Sequence, residues 1–216
     1  MYRPKFFAVI LATAFLPAAA GAAGSTISGR VVTPDGKGVA QAVVFVKDAG
    51  SAEAGASGAS AEMDQVNKTF VPGVLPVVVG TRVRFPNRDQ IHHHVYSFSR
   101  TKTFELPLYK GEDAAPVLFD KVGVVKVGCN IHDWMSAIVL VLPNTHYTVT
   151  DAEGRFTLAV PPGAHALAAW HAQHRGKLED NEQRVEVADQ ALEVNFTLAL
   201  DAGRARPAVS GARRDP

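Results

Sequence analysis

The chain has one cysteine, three methionines and two tryptophans in 216 residues. One thiol cannot pair within the chain, so a disulfide-built scaffold is excluded. Neither sign of charge dominates: 22 Lys and Arg face 21 Asp and Glu, a formal charge of +1. That balance excludes a nucleic-acid binder driven by bulk positive charge. At 47% hydrophobic and 20% charged, the chain is too apolar and too evenly charged to be wholly disordered. No long stretch keeps a helical period. After the apolar run Phe6–Phe15, no segment is apolar enough to span a bilayer, and that run is itself short of the ~20 residues a spanning helix needs. The length leaves room for one large domain or two small ones.

The first residues have the layout of a secretory signal peptide. Arg3 and Lys5 form a basic start, Phe6–Phe15 is apolar, and Ala20-Gly21-Ala22 is a small-residue cleavage site. Removing residues 1–23 takes away two basic residues and no acid, leaving a formal charge of −1. The expectation is a soluble mature protein, periplasmic if the source is bacterial.

The remainder reads as short strands. Arg155–Val160 and Leu192–Leu198 alternate apolar with polar residues, and Thr81–Phe85 places Val83 and Phe85 on one face and three polar residues on the other. Gly and Pro punctuate these runs at Pro34-Asp35-Gly36, Pro72-Gly73, Pro86-Asn87 and Pro161-Pro162-Gly163. Many short strands with turns between them predict an all-β sandwich architecture. Short turns are expected near Glu112–Ala115 and Asp133–Ser136. A Gly/Ala/Ser-rich stretch predicts a flexible linker over 49–61. Residues 200–216 read as a disordered tail, and Lys110–Pro116 as a polar excursion between strands.

The chemistry is concentrated at Gly128-Cys129-Asn130-Ile131-His132-Asp133-Trp134-Met135, between the expected strands Val124–Val127 and Ala137–Leu142. Cys129, His132 and Met135 are spaced C-x2-H-x2-M, so a tight loop can turn all three side chains to one point. Thiolate, imidazole and thioether are soft donors, suited to copper rather than magnesium or calcium. A second imidazole is available in Asn87-Arg88-Asp89-Gln90-Ile91-His92-His93-His94-Val95. Two His, one Cys and a weak axial Met make the trigonal type 1 (blue) copper site of electron-transfer proteins. Singly, each residue has an ordinary account: a buried thiol, a core methionine, an exposed His-rich loop. Zinc is the competing metal, but Met is a poor zinc ligand and structural zinc takes four Cys or His. A single thiolate is too few for an iron–sulfur cluster. Nothing marks the orienting partner and oxyanion hole of a Cys-His hydrolase.

Residues 62–143 resemble a cupredoxin of the plastocyanin/amicyanin type. Phe70-Val71-Pro72 and Val77–Asn87 are similar to that family's early strands, and the short Cys129–Met135 loop is closest to the amicyanin version. In the family a His follows this Asn by six positions, which selects His93. The stretch His93–Ser99 with Cys129–Met135 is also similar to the subgroup labelled methylamine utilisation proteins. The resemblance implies one copper ion held by His93, Cys129, His132 and Met135, single-electron exchange with redox partner proteins, and no enzymatic turnover. It also implies that His132 nears the surface. Asn87 is expected to tie the first His loop to the Cys loop by hydrogen bonds, and Trp134 beside His132 is either a docking aromatic or a core residue. Two departures stand out. The family commonly has an aromatic residue before the Cys, where this chain has Val127-Gly128. Asp133 replaces the Pro that follows the second His, and a carboxylate there is expected to favour the cationic imidazole.

Residues 25–48 and 146–199 resemble a carboxypeptidase regulatory-like domain, a small transthyretin-like β-sandwich. Ile27-Ser28-Gly29-Arg30-Val31-Val32 with Gln41–Val46 matches its opening, and Thr150–Leu158 with Pro161-Pro162-Gly163 its later hairpin. The expected arrangement is a Greek-key cupredoxin inserted into this sandwich, with Val43–Val46 as the alternative first strand of the cupredoxin. The second sandwich shows no catalytic set and is expected to act as a spacer or docking module. Its His171 and His174 read as a surface loop. Two other functions stay open: copper delivery without electron turnover, and carbohydrate or partner binding by a β-sandwich.

Overall fold

The structure is a computed structural model that describes residues 25–48, 58–175, 178–188 and 190–201. The expected signal peptide, most of the 49–61 linker and residues 202–216 lie outside the described residues. The strands are β1 (Ser25–Val32), β2 (Val43–Val46), β3 (Ser60–Glu62), β4 (Asp64–Gln65), β5 (Phe70–Val71), β6 (Val74–Val78), β7 (Thr81–Arg84), β8 (His93–Ser99) and β9 (Lys102–Tyr109). They continue as β10 (Val117–Phe119), β11 (Gly123–Cys129), β12 (Ser136–Leu142), β13 (Tyr147–Val149), β14 (Arg155–Val160), β15 (Gly163–Trp170), β16 (Gln183–Val187), β17 (Leu192–Glu193) and β18 (Phe196–Thr197). One 3-10 turn, Leu178–Asn181, is the only helical element among the described residues. The chain is all-β, as its period-two patterns predict.

The strands enclose two cores. In the first, the sheet β13-β2-β15-β16 faces β1 and its neighbours β14, β17 and β18. Strand β14 alternates exposed and buried residues along its length and pairs antiparallel with β1 from Ser25–Val160 to Arg30–Arg155. Its Phe156, Leu158 and Val160 meet Ile27, Val31, Val44, Val46 and Leu167 inside. In the second, the sheet β6-β12-β11-β8-β9 faces β10-β7-β3, with the β4–β5 hairpin alongside. Val83, Phe85 and Phe119 meet Val95, Val125, Val127, Val139 and Val141 there.

Strands β2 and β12 are apolar on both faces, and the reason is a third cluster between the two sandwiches. Val44 and Val46 enter the first core, while Val43 and Phe45 point the other way. Val139 and Val141 enter the second core, while Ile138, Leu140 and Leu142 point out of it. These outward residues pack together with Ala168 and Trp170 as a continuous apolar seam. Full burial of each such side chain contributes about 1.5–3 kcal/mol. Val43–Val46 pairs with β13 and β15, not with any strand of the second core.

Several sequence expectations need correction. Thr81 lies with Val83 and Phe85 on the buried face, since alternate residues of a strand share a side. Ser60 and Ala61, assigned to the linker, belong to β3 and pair with β7. The single strand expected over Leu192–Leu198 is split. Asn195 Oδ1 accepts the Arg30 N–H, so a side chain takes a bond the ladder would have made, and β17 before Asn195 and β18 after it both run parallel to β1. Leu200 bridges His174, and the Asp201 N–H donates to Gln173, so the ordered chain extends past the expected start of the tail. The same contacts cover Gln173 and His174, which are buried rather than exposed, and Trp170 lies in the seam.

Gly29 of β1 faces the chain turn between β17 and β18, where a Cβ would stand 1.7 Å from the Val194 carbonyl oxygen. The backbones must separate to admit a methyl group. Gly29→Ala is expected to cost about 3 kcal/mol, the upper end of ordinary overpacking, as measured by urea unfolding of the metal-free protein.

Candidate metal centre

Strand alternation brings the donors inward. Val125, Val127 and Cys129 take successive core-facing positions of β11, so the thiol ends the strand pointing into the second core. The chain then folds back at once. The Met135 N–H donates to the His132 carbonyl at 2.9 Å, and the Cys129 N–H to the Met135 carbonyl at 3.2 Å. These bonds curl 129–135 into a closed loop before β12 starts at Ser136, opposite Gly128. Across the sheet, His93 opens β8 with its side chain inward like Val95 and Ser97, while His92 is exposed and His94 points outward. An irregularity in the β8–β9 pairing between His93 and Val95 re-aims the strand start. Pairing of Cys129 with Val95, and the Asn130 N–H donated to the His94 carbonyl at 3.0 Å, holds the two donor segments together.

Cys129 Sγ lies 3.6 Å from His93 Nδ1 and 3.6 Å from His132 Nδ1. The three donor atoms lie within 4.8 Å of one another, and the two imidazole rings are 5.0 Å apart. A thiol has one proton and can donate to one of two neutral Nδ1 atoms, whereas a cation satisfies both nitrogens and the sulfur. Metal bonds of about 2.3 Å to sulfur and 2.0 Å to nitrogen, at angles between tetrahedral and trigonal, put the donors about 3.5–3.7 Å apart. The observed separations fit. Met135 is buried in the same cluster as Cys129. The structure therefore brings the donor atoms of His93, Cys129 and His132 together, with Met135 at the end of the same loop in the same buried cluster.

The surroundings differ from expectation at Asn87 and Asp133. Asn87 does not tie the His loop to the Cys loop. Its side-chain amide donates to the Ile91 and Tyr109 carbonyls at 2.9 and 3.0 Å, and its oxygen accepts the Asp89 N–H, so it braces the His loop against the end of β9. Asp133 is exposed and does not raise His132. Burial pushes that imidazole below its ordinary value, His93 and Lys68 act in the same sense, and Asp89 opposes them. Tyr96 of the adjacent strand β8 lies over Gly128, where a Cβ would stand 3.1 Å from the ring. Trp134 is a surface residue, 66% exposed, with its ring 5.2 Å from that of His132.

Two further residues were missed by sequence reasoning. Asp89 Oδ2 lies 2.8 Å from His93 Nε2. Burial raises the Asp89 carboxyl, but the Lys68 N–H, the His93 ring and the Asn67 N–H outweigh it and hold it below the usual carboxylate range. The i to i+4 spacing of Asp89 and His93 was the available signal. Tyr109, buried and bonded to Gln65, has its phenol pushed up to about 12, chiefly by burial, with Gln65 opposing and Cys129 adding to it.

No family model matches the chain, and no curated protein matches it. Solved structures do. A copper-containing nitrite reductase from Thermus scotoductus SA-01 is 25% identical over 39% of this chain and 22% of its own, with a TM-score of 0.36. A purple cupredoxin from Nitrosopumilus maritimus is 26% identical over 38% of this chain and 98% of its own, at 0.34. A reduced amicyanin variant is 22% identical over 45% of this chain and 97% of its own, at 0.36. This chain thus spans less than a quarter of the nitrite reductase.

Asn87→Ala strips the partner from two carbonyls and one N–H at the base of the His loop. A loss of about 1–3 kcal/mol is expected in denaturant unfolding of the metal-free protein.

Proposed function

We propose that this protein is a type 1 copper electron carrier, with His93, Cys129, His132 and Met135 holding one copper ion. The observation that carries the proposal is the convergence of one thiol sulfur and two imidazole Nδ1 atoms, each nitrogen 3.6 Å from the sulfur. A thiol, two imidazoles and a neighbouring thioether form a soft set suited to copper. Bound copper would supply reversible one-electron exchange. Cys129 binds as thiolate from a buried position that excludes water. His93, wholly buried and hydrogen-bonded behind, is a fixed donor. His132 is only partly buried and has Trp134 against it, with Ile131 50% exposed beside them. That arrangement supports His132 as the edge through which an electron leaves, and the apolar surface around it as the place where a redox partner docks. No substrate-sized chemistry is assigned to the site, and the protein is read as a carrier rather than an enzyme. The leader-like residues 1–23 support export to the periplasm. The second sandwich, carboxypeptidase regulatory-like in sequence, is read as a spacer fixed through the apolar seam.

The test is a visible spectrum of the mature protein after Cu(II) addition, followed by ascorbate and then ferricyanide. An intense thiolate-to-copper band that bleaches and returns is expected. Cys129→Ala is expected to abolish the band, and Met135→Leu to keep it while shifting the reduction potential. A folded protein that binds copper without such a band would overturn the carrier reading in favour of copper delivery.

A further inference from the structure

Asp89 is held from three sides. Its Oδ1 accepts the Asn67 N–H at 2.6 Å, and its Oδ2 accepts the Lys68 N–H at 2.8 Å. The same Oδ2 lies 2.8 Å from His93 Nε2. Asn67 and Lys68 are consecutive non-glycine residues at φ 52° and 53°. Val66 and Thr69, on either side, exchange both backbone hydrogen bonds at 2.9 and 3.1 Å. Two left-handed residues between paired ends make a type I′ hairpin turn. Successive N–H groups turned to one side form a small concavity that grips an anion. The β4–β5 hairpin therefore presents its tip to the Asp89 carboxylate, and the carboxylate presents its remaining capacity to the buried imidazole.

A carboxylate gripped by two N–H groups offers only acceptors to a third partner. His93 Nε2 must then carry the ring proton. A neutral imidazole has one N–H, so Nδ1 keeps its lone pair, and Nδ1 is the atom that faces Cys129 Sγ at 3.6 Å. His93 has no exposed surface, so no bulk water stands in for the carboxylate. We infer that Asp89, gripped by the Asn67–Lys68 turn, is a positioning residue that fixes His93 as the Nε2–H tautomer and aims the Nδ1 lone pair at the metal position. The metal in this statement rests on the copper reading; the tautomer does not. Carboxylate partners of metal-binding histidines fix both ring orientation and tautomer, and their loss costs about 10–100-fold in metal affinity.

The experiment uses full-length metal-free protein labelled with 15N-histidine, read by two-bond nitrogen–proton correlation at mildly alkaline pH. The wild type is expected to show His93 protonated at Nε2. Asp89→Asn keeps the size of the side chain but can turn an N–H to the ring. It is expected to move His93 toward the Nδ1–H form and to weaken Cu(II) binding at least about tenfold in chelator competition. An Nδ1–H ring in the wild type overturns the inference. So does an unchanged tautomer and affinity in a folded Asp89→Asn protein. Should that variant fail to fold, the wild-type tautomer alone decides. An Nε2–H ring in a wild type that gives no thiolate-to-copper band supports the inference and sinks the copper carrier reading instead.

Discussion

Strand β12 has no face left for solvent. Val139 and Val141 fill one core, and Ile138, Leu140 and Leu142 seal against Phe45 and Trp170 of the other sandwich. A strand buried on both sides cannot slip by one residue, because a slip would exchange the two faces and misfit both packings at once. Its partner across the hairpin is β11, in register from Gly123–Val141 to Gly128–Ser136. The position of Cys129, one residue beyond that register, follows from the burial of β12. The closed loop 129–135 then has a fixed base, and His132 and Met135 have little freedom in where they fall.

The second donor segment is fixed in another way. His93 is polar, wholly buried, and sits where the β8–β9 pairing becomes irregular. A buried imidazole needs hydrogen-bond partners on its nitrogens, or the cost of desolvating it is not offset. One nitrogen has Asp89, which is itself anchored by backbone N–H groups of the β4–β5 turn. The other has Cys129. Asn87 keeps the loop between them short and braced against Tyr109 and Ile91. The Asp89 carboxylate and the Asn87 amide are thus paired on the far side of His93 from the thiol, and paired groups of this kind hold the ring in place.

Burial places the two imidazoles in different environments. His93 is enclosed by the sheet and backed by a carboxylate. His132 lies at the loop surface with Trp134 and Ile131, and Lys68 and Asp89 act on it in opposite senses. The proposed electron-carrier function asks for this combination, rigidity on one side of the site and access on the other. The seam fastens the small sandwich to the outer face of β12, and Tyr96 and Phe98 on β8 remain in contact at 4.9 Å with Phe98 79% exposed.

By itself, the sequence determined the strand class and marked the residues proposed as metal donors. Period-two alternation, turn glycines and the C-x2-H-x2-M spacing are local properties, and local properties are legible one segment at a time. The isolated thiol drew attention to one loop, and the loop holds together as its spacing implied. Only the tertiary structure decided what depends on residues far apart in the chain. The two-sided burial of β2 and β12 comes from a seam between segments nearly one hundred positions apart. The break in Leu192–Leu198 comes from Asn195 taking the Arg30 N–H across the sheet. The choice of Asp89, rather than Asp133, as the carboxylate that bears on the site comes from direction: Asp133 is exposed to water, whereas Asp89 is turned inward by a hairpin tip whose residues lie 22 and 21 positions upstream. A charge beside a histidine in sequence is not a charge beside it in space, because the strand and loop geometry that orients each side chain is set by packing and not by adjacency.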